Sequence, residues 1–150
     1  RGSAMKLSTK SRYALEGLFY MAIATLDRAA SIKEIAAETQ ISPAYLEQIF
    51  FKLKQFGIIR TVRGARGGFL FEKPLSEITV GQIIRAVEGS LVPVKCVESL
   101  SACTSKVRGT CISRQVWVDL SDAIARVADS LTLEQLRNEW LAEQRGGQAL

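Results

Sequence analysis

The three cysteines of this chain, Cys96, Cys103 and Cys111, are the residues whose type and spacing are best suited to chemistry. They share one polar stretch that begins near Ser90 and is predicted to be poor in helix. The chain contains no histidine, which excludes histidine general bases, Ser-His and Cys-His dyads, and histidine metal ligands. An odd number of cysteines argues against a closed disulfide framework and indicates a reducing cytoplasm.

The cysteine spacing narrows the choice of cofactor and leaves two alternatives. Six residues separate the first two cysteines and seven separate the second from the third, whereas zinc sites are typically built from C-x₂₋₄-C pairs. Iron–sulfur clusters also take thiolate ligands, and three thiolates would leave one position for an oxygen or nitrogen group or a small molecule. A hard oxygen ligand there would make the cluster labile, which suits sensing better than electron transfer. The alternative is three solvent thiols without a cofactor.

Positive charge is concentrated in the first half of the chain. Residues 1–76 hold 12 Lys and Arg against 6 Asp and Glu, whereas residues 77–150 hold 8 against 9. A basic half joined to a nearly neutral half is typical of a nucleic-acid-binding module with an extension. The alternative is an accidental distribution of surface charge.

Length and composition favour one globular domain, or a small domain with an extension. The chain has 150 residues, of which 47% are hydrophobic and 23% charged, and this excludes a disordered tail or a coiled-coil rod. No apolar run approaches the roughly 18–20 residues that span a bilayer, and no signal peptide is recognisable, so we expect no membrane segment. Residues 1–4 are expected to be a vector remnant before a natural Met5.

Apolar periodicity predicts two helices in the first forty or so residues. The first covers about Thr9 to Leu26, where apolar residues recur at helical spacing too often for a surface stripe. The second begins at the tetrapeptide Ser31-Ile32-Lys33-Glu34 and ends near Thr39. In that tetrapeptide Ser31 is predicted to cap the helix while Glu34 reaches back, as in a capping box.

A third helix follows after a four-residue joint, which predicts a helix-turn-helix. Ser42 is a favourable N-cap, Pro43 suits the first helical position, and Gly57 is typical of the residue that terminates a helix near Phe56. Many such joints contain glycine, whereas this one contains Gln40. The predicted buried stripe consists of Leu46, Ile49, Phe50 and Leu53. The predicted exposed face, free to enter a major groove, carries Ala44, Tyr45, Glu47, Gln48, Lys52 and Lys54.

Two short β-strands are predicted next, over residues 58–62 and 69–71, and they would form an antiparallel hairpin. The loop between them contains three glycines, with Arg63 and Arg66 near its tip. Arginines at such a tip suit a narrow, negative minor groove, so we interpret the hairpin as a DNA-binding wing. A phosphate cradle is disfavoured because the Walker spacing and its Lys-Ser/Thr pair are missing. A plain hairpin loop is the other alternative.

The remaining sequence predicts three more helices. The capping box Thr79-Val80-Gly81-Gln82 begins one that stops at Gly89. Apolar residues at three-four spacing from Ile112 to Leu131 predict a long helix, which would pair with a second copy of the chain or form the core of one monomer. A further capping box, Thr132-Leu133-Glu134-Gln135, precedes a short final helix through Trp140.

The predicted fold is therefore mainly α with a small β-hairpin. We expect a winged helix-turn-helix DNA-binding domain over residues 5–76 and a linking helix with the cysteine-bearing loop over residues 77–111. A long dimerisation helix and a C-terminal helix would occupy residues 112–150.

Four segments, residues 6–14, 41–48, 62–69 and 78–89, resemble the Rrf-two family of bacterial winged-helix transcription regulators, and in particular its iron–sulfur cluster-sensing members. The cysteines, the following Trp117-Val118-Asp119-Leu120 and the run from Thr132 to Leu136 extend the resemblance over about residues 5–143. It implies a cytoplasmic homodimer, not an enzyme, that binds pseudo-palindromic promoter DNA and senses a signal through its cluster.

The resemblance also implies individual DNA contacts. Glu47 would accept a hydrogen bond from cytosine N4, and Gln48 would bond a base edge. The family often has serine where Ala44 stands here. The full set consists of Lys6, Thr9, Tyr13, Ser42, Ala44, Tyr45, Glu47, Gln48, Lys54, Arg63 and Gly64, to which the wing pattern adds Arg66.

The same resemblance assigns Cys96, Cys103 and Cys111 as ligands of an iron–sulfur cluster, with 2Fe–2S favoured over 4Fe–4S. Some relatives place a histidine where Arg114 stands here, and others an aspartate where Arg12 stands. Glu16, one turn beyond Arg12, matches a position that ligates in further relatives, so it is our candidate for the fourth ligand.

Three classes of function follow. The first is a transcription regulator that senses through a cluster. The second is a cluster-free regulator controlled by thiol oxidation or by binding a sulfur-metabolism enzyme. The third, a cluster carrier or thiol enzyme that does not bind DNA, is disfavoured by the basic wing and by the absence of histidine.

Overall fold

The computed structural model describes residues 8–93, 97 and 112–147. Within these ranges the chain forms six α-helices and one two-stranded antiparallel sheet, so the mainly helical winged fold is confirmed. In chain order the elements are α1 (Thr9–Ala24), α2 (Ile32–Thr39), α3 (Pro43–Gln55), β1 (Ile59–Val62), β2 (Gly68–Phe71), α4 (Val80–Glu88), α5 (Ile112–Ser130) and α6 (Leu133–Gly147), with a 3₁₀ turn at Leu75–Glu77.

Helix α1 is central to the fold because it packs against α2, α3, α4 and α6. Ala14, Leu18 and Ala22 are fully buried along it, which explains why its apolar positions outnumber those of a surface stripe. It ends at Ala24, two residues before the predicted end, and the N–H of Thr25 closes the last turn on the carbonyl of Met21.

Helices α2 and α3 form the predicted helix-turn-helix. The joint turns at Gln40, which adopts the left-handed conformation with φ 59° that glycine supplies at other such joints. Ser42 caps α3 by accepting a hydrogen bond from the N–H of Tyr45 at 3.2 Å, and Pro43 occupies the first turn as predicted. The buried stripe of α3 is confirmed, and it consists of Leu46, Ile49, Phe50 and Leu53.

The predicted capping box at α2 forms by half. The Ser31 hydroxyl accepts a hydrogen bond from the N–H of Glu34 at 3.1 Å. The main donors to the Glu34 carboxylate lie elsewhere. The Arg28 guanidinium donates to it at 2.5 and 3.0 Å, and the Tyr20 hydroxyl donates at 2.9 Å.

The hairpin predicted from the glycine-rich loop forms between β1 and β2, with Ile59 paired to Phe71 and Val62 to Gly68. The start of β2 is hydrogen-bonded to the connection between α1 and α2, since Ala30 and Phe69 exchange two backbone hydrogen bonds of 3.0 and 2.8 Å. Gly68 has φ 151°, and a Cβ atom there would collide with the Ala30 carbonyl, so this close approach requires glycine.

Helix α4 carries the complete capping box predicted from Thr79 and Gln82. It is joined to α5 by a bidentate ion pair in which Arg85 donates to Asp129 at 2.6 and 2.9 Å. Backbone bonds of 2.9 Å from the Val80 N–H to the Leu131 carbonyl, and from the Leu133 N–H to the Ile78 carbonyl, fix the start of α4 against the α5–α6 turn.

Helix α6 is longer than the sequence predicts. It begins at the expected capping box, where Thr132 and Gln135 exchange hydrogen bonds of 3.0 and 3.2 Å, but it continues beyond Trp140 to Gly147. The residues after Trp140 are mostly good helix formers, and no glycine interrupts them before Gly146. The Trp140 ring packs edge-on against Phe19 of α1, with centroids 6.4 Å apart.

One hydrophobic core joins the helix-turn-helix to the later helices. It contains the buried side chains of α1 to α3 together with Ile83 and Val87 of α4 and Leu133 of α6. The packing thus continues across residue 76, and the functional division predicted there stays a prediction. None of the helices in the described ranges has the length and hydropathy that a membrane crossing requires.

Candidate nucleic-acid interface and cysteine loop

The outward face of α3 is polar at the positions predicted to meet DNA. Ala44, Glu47 and Gln48 are exposed there, on the side of α3 opposite its buried stripe. Ser42 is exposed too, although its hydroxyl is engaged in capping α3. Exposed amide and carboxylate groups on such a face can bond base edges, because the major groove displays both donors and acceptors.

The start of α1 lies beside the start of α3. The rings of Tyr13 and Tyr45 meet edge-to-face with centroids 5.5 Å apart, and both side chains are half-buried. The Arg12 guanidinium lies 5.2 Å from the centroid of the Tyr13 ring, and Thr9 is exposed in the first turn. The structure therefore brings these predicted contacts of α1 and α3 together, while Lys6 lies outside the described residues.

Glu88, the last residue of α4, holds the start of α1 in place. Its Oε1 accepts hydrogen bonds from the hydroxyls of Ser8 and Ser11, the latter at 2.9 Å. Burial acts to raise the pKa of Glu88, but these two donors outweigh it, and the pKa lies below its usual value. The carboxylate is therefore ionised near neutral pH, and it ties the predicted DNA-contacting end of α1 to the helix that leads toward the cysteines.

The two lysines at the end of α3 have different roles. Lys54 is exposed, as a phosphate contact requires, whereas the Lys52 ammonium donates to the carbonyl of Val87 at 3.3 Å and is partly buried against α4. Lys52 is therefore only partly on the outward face, and Tyr45, also predicted there, is half-buried against Tyr13. Phe51 is 59% exposed on that face. It lies off the predicted buried stripe that includes its neighbour Phe50, but it was not among the residues predicted for the outward face.

The wing presents its predicted side chains to solvent. Arg63, Gly64 and Arg66 are all exposed at the tip of the hairpin. A hydrogen bond of 2.9 Å from the Gly67 N–H to the Gly64 carbonyl closes the turn, and Gly64 has φ 115°. The tip is therefore a compact turn that carries two exposed cationic side chains at the end of a two-stranded hairpin.

A charged cluster lies beneath the wing. Arg28 and Glu34 line a pocket together with Arg66 and Gly67 of the wing loop. Hydrogen bonds from Arg28, opposed by burial and supported by the hydroxyl of Tyr20, lower the pKa of Glu34 to about 2. Glu34 thus stays ionised at neutral pH and holds Arg28 beside the wing loop.

Cys96, Cys103 and Cys111 lie outside the described residues. Among the residues that the structure does describe, no group of three or more Cys, Asp or Glu side chains is arranged to hold a metal ion. Glu16 lies on α1, within the described residues. Its side chain is 46% exposed, and its carboxylate lies 3.7 Å from the Arg12 guanidinium. It borders an apolar groove between α1 and α6 that is lined by Leu15, Phe19, Leu133 and Leu136.

Helix α5 presents an apolar face that no described part of the same chain covers. Val116, Leu120 and Val127 are 52%, 44% and 58% exposed, and Ile112 at the start of the helix is 87% exposed. Only Ser121 and Ala128 of α5 are buried, on the side that faces α4. The predicted stripe of α5 therefore exists, and most of it faces away from the core.

Comparison with known proteins gives this architecture a family. A protein-family model described as "Rrf2: Iron-dependent Transcriptional regulator" matches residues 7–139. The HTH-type transcriptional regulator IscR of Pectobacterium carotovorum is 34% identical over 134 residues, which are 89% of this chain and 80% of that protein. The HTH-type transcriptional regulator CymR of Bacillus subtilis is 35% identical over 140 residues, 93% of this chain and 95% of that protein.

Solved structures agree with the sequence relatives. The structure of CymR, described as the global cysteine regulator of B. subtilis, matches with a TM-score of 0.74 and 33% identity over 90% of this chain and 98% of that one. IscR of T. potens matches with a TM-score of 0.72 and 30% identity over 90% and 88%. These relatives are transcriptional regulators and not enzymes, as expected, and the chain belongs to the Rrf2 family of transcriptional regulators.

Proposed function

We propose that two copies of this chain form a two-fold dimer that binds pseudo-palindromic promoter DNA. The observation that carries this proposal is the exposed polar face of α3, with Glu47 and Gln48, on the same winged body as the exposed arginines of the wing. In this arrangement α3 enters the major groove. The tip residues Arg63 and Arg66 then contact the backbone or the minor groove.

The dimer is supported by the apolar face of α5 that no described part of the chain covers. Large apolar side chains that are half exposed along one helix favour burial against a complementary surface, and a two-fold axis supplies that surface from the second copy. Two α3 helices related by such an axis would meet two half-sites of a palindrome.

We further propose that DNA affinity is controlled by an iron–sulfur cluster, 2Fe–2S in preference to 4Fe–4S. Cys96, Cys103 and Cys111 would supply three thiolates, and Glu16 of the partner subunit the fourth ligand. Glu16 is available for this role, because an exposed i,i+4 ion pair such as Arg12–Glu16 contributes little and leaves the carboxylate free to bind elsewhere. A bound cluster would supply a state that responds to iron, oxidants or nitric oxide.

A second candidate is a cluster-free regulator, controlled by thiol oxidation or by binding a sulfur-metabolism enzyme. The likeness to a protein described as a global cysteine regulator supports it as strongly as the likeness to IscR supports the cluster. The same three cysteines would then act as thiols, with no fourth ligand required.

The DNA-binding proposal is tested by the salt dependence of Arg63→Ala. Each lost phosphate contact should flatten the slope of log K against log salt concentration by about 0.9 and weaken binding to all sequences alike. Duplexes selected by the parent protein from a random pool would serve as probes in fluorescence anisotropy. Lys33→Ala, an exposed cation on α2, is the matched control. An unchanged affinity and slope for Arg63→Ala would show that the wing does not contact DNA.

The cluster proposal is tested by visible absorption of anaerobically purified protein. Replacing any one cysteine with alanine should abolish the absorption, whereas Glu16→Gln should shift the spectrum or shorten the cluster lifetime in air. Glu38→Gln, an exposed carboxylate of α2, is the control for the loss of one negative charge. A colourless parent protein after iron and sulfide reconstitution, with DNA affinity that changes on thiol oxidation, would support the cluster-free candidate instead.

A further inference from the structure

Phe51 is an exposed aromatic side chain on the polar face of α3. It is 59% exposed, whereas Phe50, its neighbour in sequence, is fully buried and packs against Phe69 with ring centroids 5.1 Å apart. All residues of α3 are described, and Phe51 is the one large apolar side chain on the face that carries Glu47 and Gln48. Phe51 is therefore an isolated aromatic group on the surface that is proposed to meet DNA.

Helix geometry places Phe51 near the middle of this face. At about 100° per residue, Phe51 lies about 40° from Glu47 and about 60° from Gln48 around the axis, between the two. It lies about 4.5–6 Å further along the helix, which is one or two base-pair steps. If α3 lies along the groove with Glu47 and Gln48 at base edges, the Phe51 ring faces the same groove.

We propose that Phe51 recognises the C5-methyl group of a thymine in the half-site. This inference rests on the proposed DNA-binding function and adds a specificity-determining residue to it. The thymine methyl is the apolar feature of the major-groove edges, and an aromatic ring that contacts it gains by removing both surfaces from water. Glu47 and Gln48 would read neighbouring polar edges, while Phe51 distinguishes thymine from cytosine without a hydrogen bond.

Substitution of deoxyuridine for thymidine tests the proposal, because it removes only the methyl group. A half-site duplex selected by the parent protein would be prepared with deoxyuridine at each thymine in turn, and Kd measured for the parent and for Phe51→Ala. Burial of one methyl group corresponds to about a fourfold change in Kd, which we expect at one thymine for the parent. The same replacement should leave the Kd of Phe51→Ala unchanged.

Two further variants serve as controls for the deoxyuridine experiment. Phe51→Leu keeps an apolar side chain and should retain sensitivity to the methyl group. Phe56→Ala removes a phenylalanine that is 51% exposed but lies about 140° away around the axis, so it should respond as the parent does. Because Phe51 and Phe56 are both exposed, folding should survive either change.

The outcomes separate this inference from the function on which it rests. If the parent selects no sequence from the pool, the DNA-binding proposal fails and the inference with it. If the parent binds its selected duplex but every deoxyuridine has the same effect on the parent and on Phe51→Ala, the inference alone is overturned. The same conclusion follows if Phe51→Ala weakens binding to thymine and uracil duplexes by one common factor, because Phe51 would then contact the backbone.

Discussion

Helices α3 and α5 carry apolar residues at the same three-four spacing, but the two stripes have opposite environments. Leu46, Phe50 and Leu53 of α3 are fully buried, whereas Val116, Leu120 and Val127 of α5 are 44–58% exposed. The sequence pattern shows that a helix needs an apolar partner and does not show where that partner is. For α3 the partners are α1, α2, α4 and β1 of the same chain, whereas among the described residues α5 packs mainly against α4, which leaves most of its stripe exposed.

The difference also separates folding from assembly. The buried stripe of α3 belongs to the core cluster that joins α1, α2, α3, α4 and α6. Helix α5 instead contributes Ala128 to a small second cluster with Ile84 and Leu91, against which Ile124 packs partly buried. Changes in α3 should therefore affect folding of each chain, and changes on the exposed face of α5 should affect association of two chains.

The largest effect is expected from Phe50→Ala. This side chain is fully buried and packs against Phe69 and beside Gly17, so truncation leaves a cavity that rigid helices cannot fill. The free energy of unfolding should fall by about 3–5 kcal/mol. Urea unfolding followed by circular dichroism measures it, and Phe51→Ala is the control that should change stability by less than about 0.5 kcal/mol. Equal losses for the two variants would remove the distinction between the two faces of α3.

The next largest effect is expected from Leu120→Glu on the exposed face of α5. A charge placed in an apolar interface between two chains should raise the dimer Kd by at least about 100-fold, or roughly 2.7 kcal/mol. Sedimentation velocity over a range of protein concentrations measures this, and Asp122→Lys, which changes a charge on the polar side of α5, is the control. A Leu120→Glu protein that remains dimeric at the parent's concentration would show that α5 is not the interface.

The smallest effect on the free energy of unfolding is expected from removing one of two ion pairs. One is Arg28–Glu34 within the helix-turn-helix body, and the other is Arg85–Asp129 between α4 and α5. The pKa of Glu34 is lowered to about 2 in the folded protein, so its stabilising contribution is complete above about pH 4.5 and is lost as the pH falls toward 2. Because Glu34 is partly solvated, Glu34→Gln should cost only about 0.5–1 kcal/mol at pH 7.

The two pairs are compared by measuring the free energy of unfolding of the parent, Glu34→Gln and Asp129→Asn at pH 7 and at pH 3. Hydrogen bonds from Arg85 also lower the pKa of Asp129, but its side chain is 45% exposed against 27% for Glu34. Glu34→Gln should therefore lose more unfolding free energy at pH 7 than Asp129→Asn does. The difference in unfolding free energy between Glu34→Gln and the parent should shrink at pH 3. A difference that grows on acidification would contradict the assignment of Glu34 as an ionised partner of Arg28.

Local sequence signals predicted much of the fold. The caps at Ser42, Thr79 and Thr132, the glycine-rich hairpin and the buried stripe of α3 all depend on residues within a few positions of one another, and each is confirmed. The family was also recognisable from short segments, and the comparisons confirm it. The individual DNA contacts, the domain division and the cluster ligands stay predictions.

Tertiary structure decided what local patterns leave open. Glu34 has the position of a capping-box residue, but Arg28 and Tyr20 converge on it from outside α2. Lys52 has the spacing of an outward residue, but the Val87 carbonyl of α4 is within its reach. Periodicity placed Phe50 in the buried stripe and left Phe51 off it, but only the structure shows that the Phe51 ring is 59% exposed among the polar residues of the outward face. Sequence alone determined the local hydrogen-bonding and periodicity requirements of each segment, whereas the partner of each side chain was decided by segments distant in the chain, because burial depends on what packs against a surface.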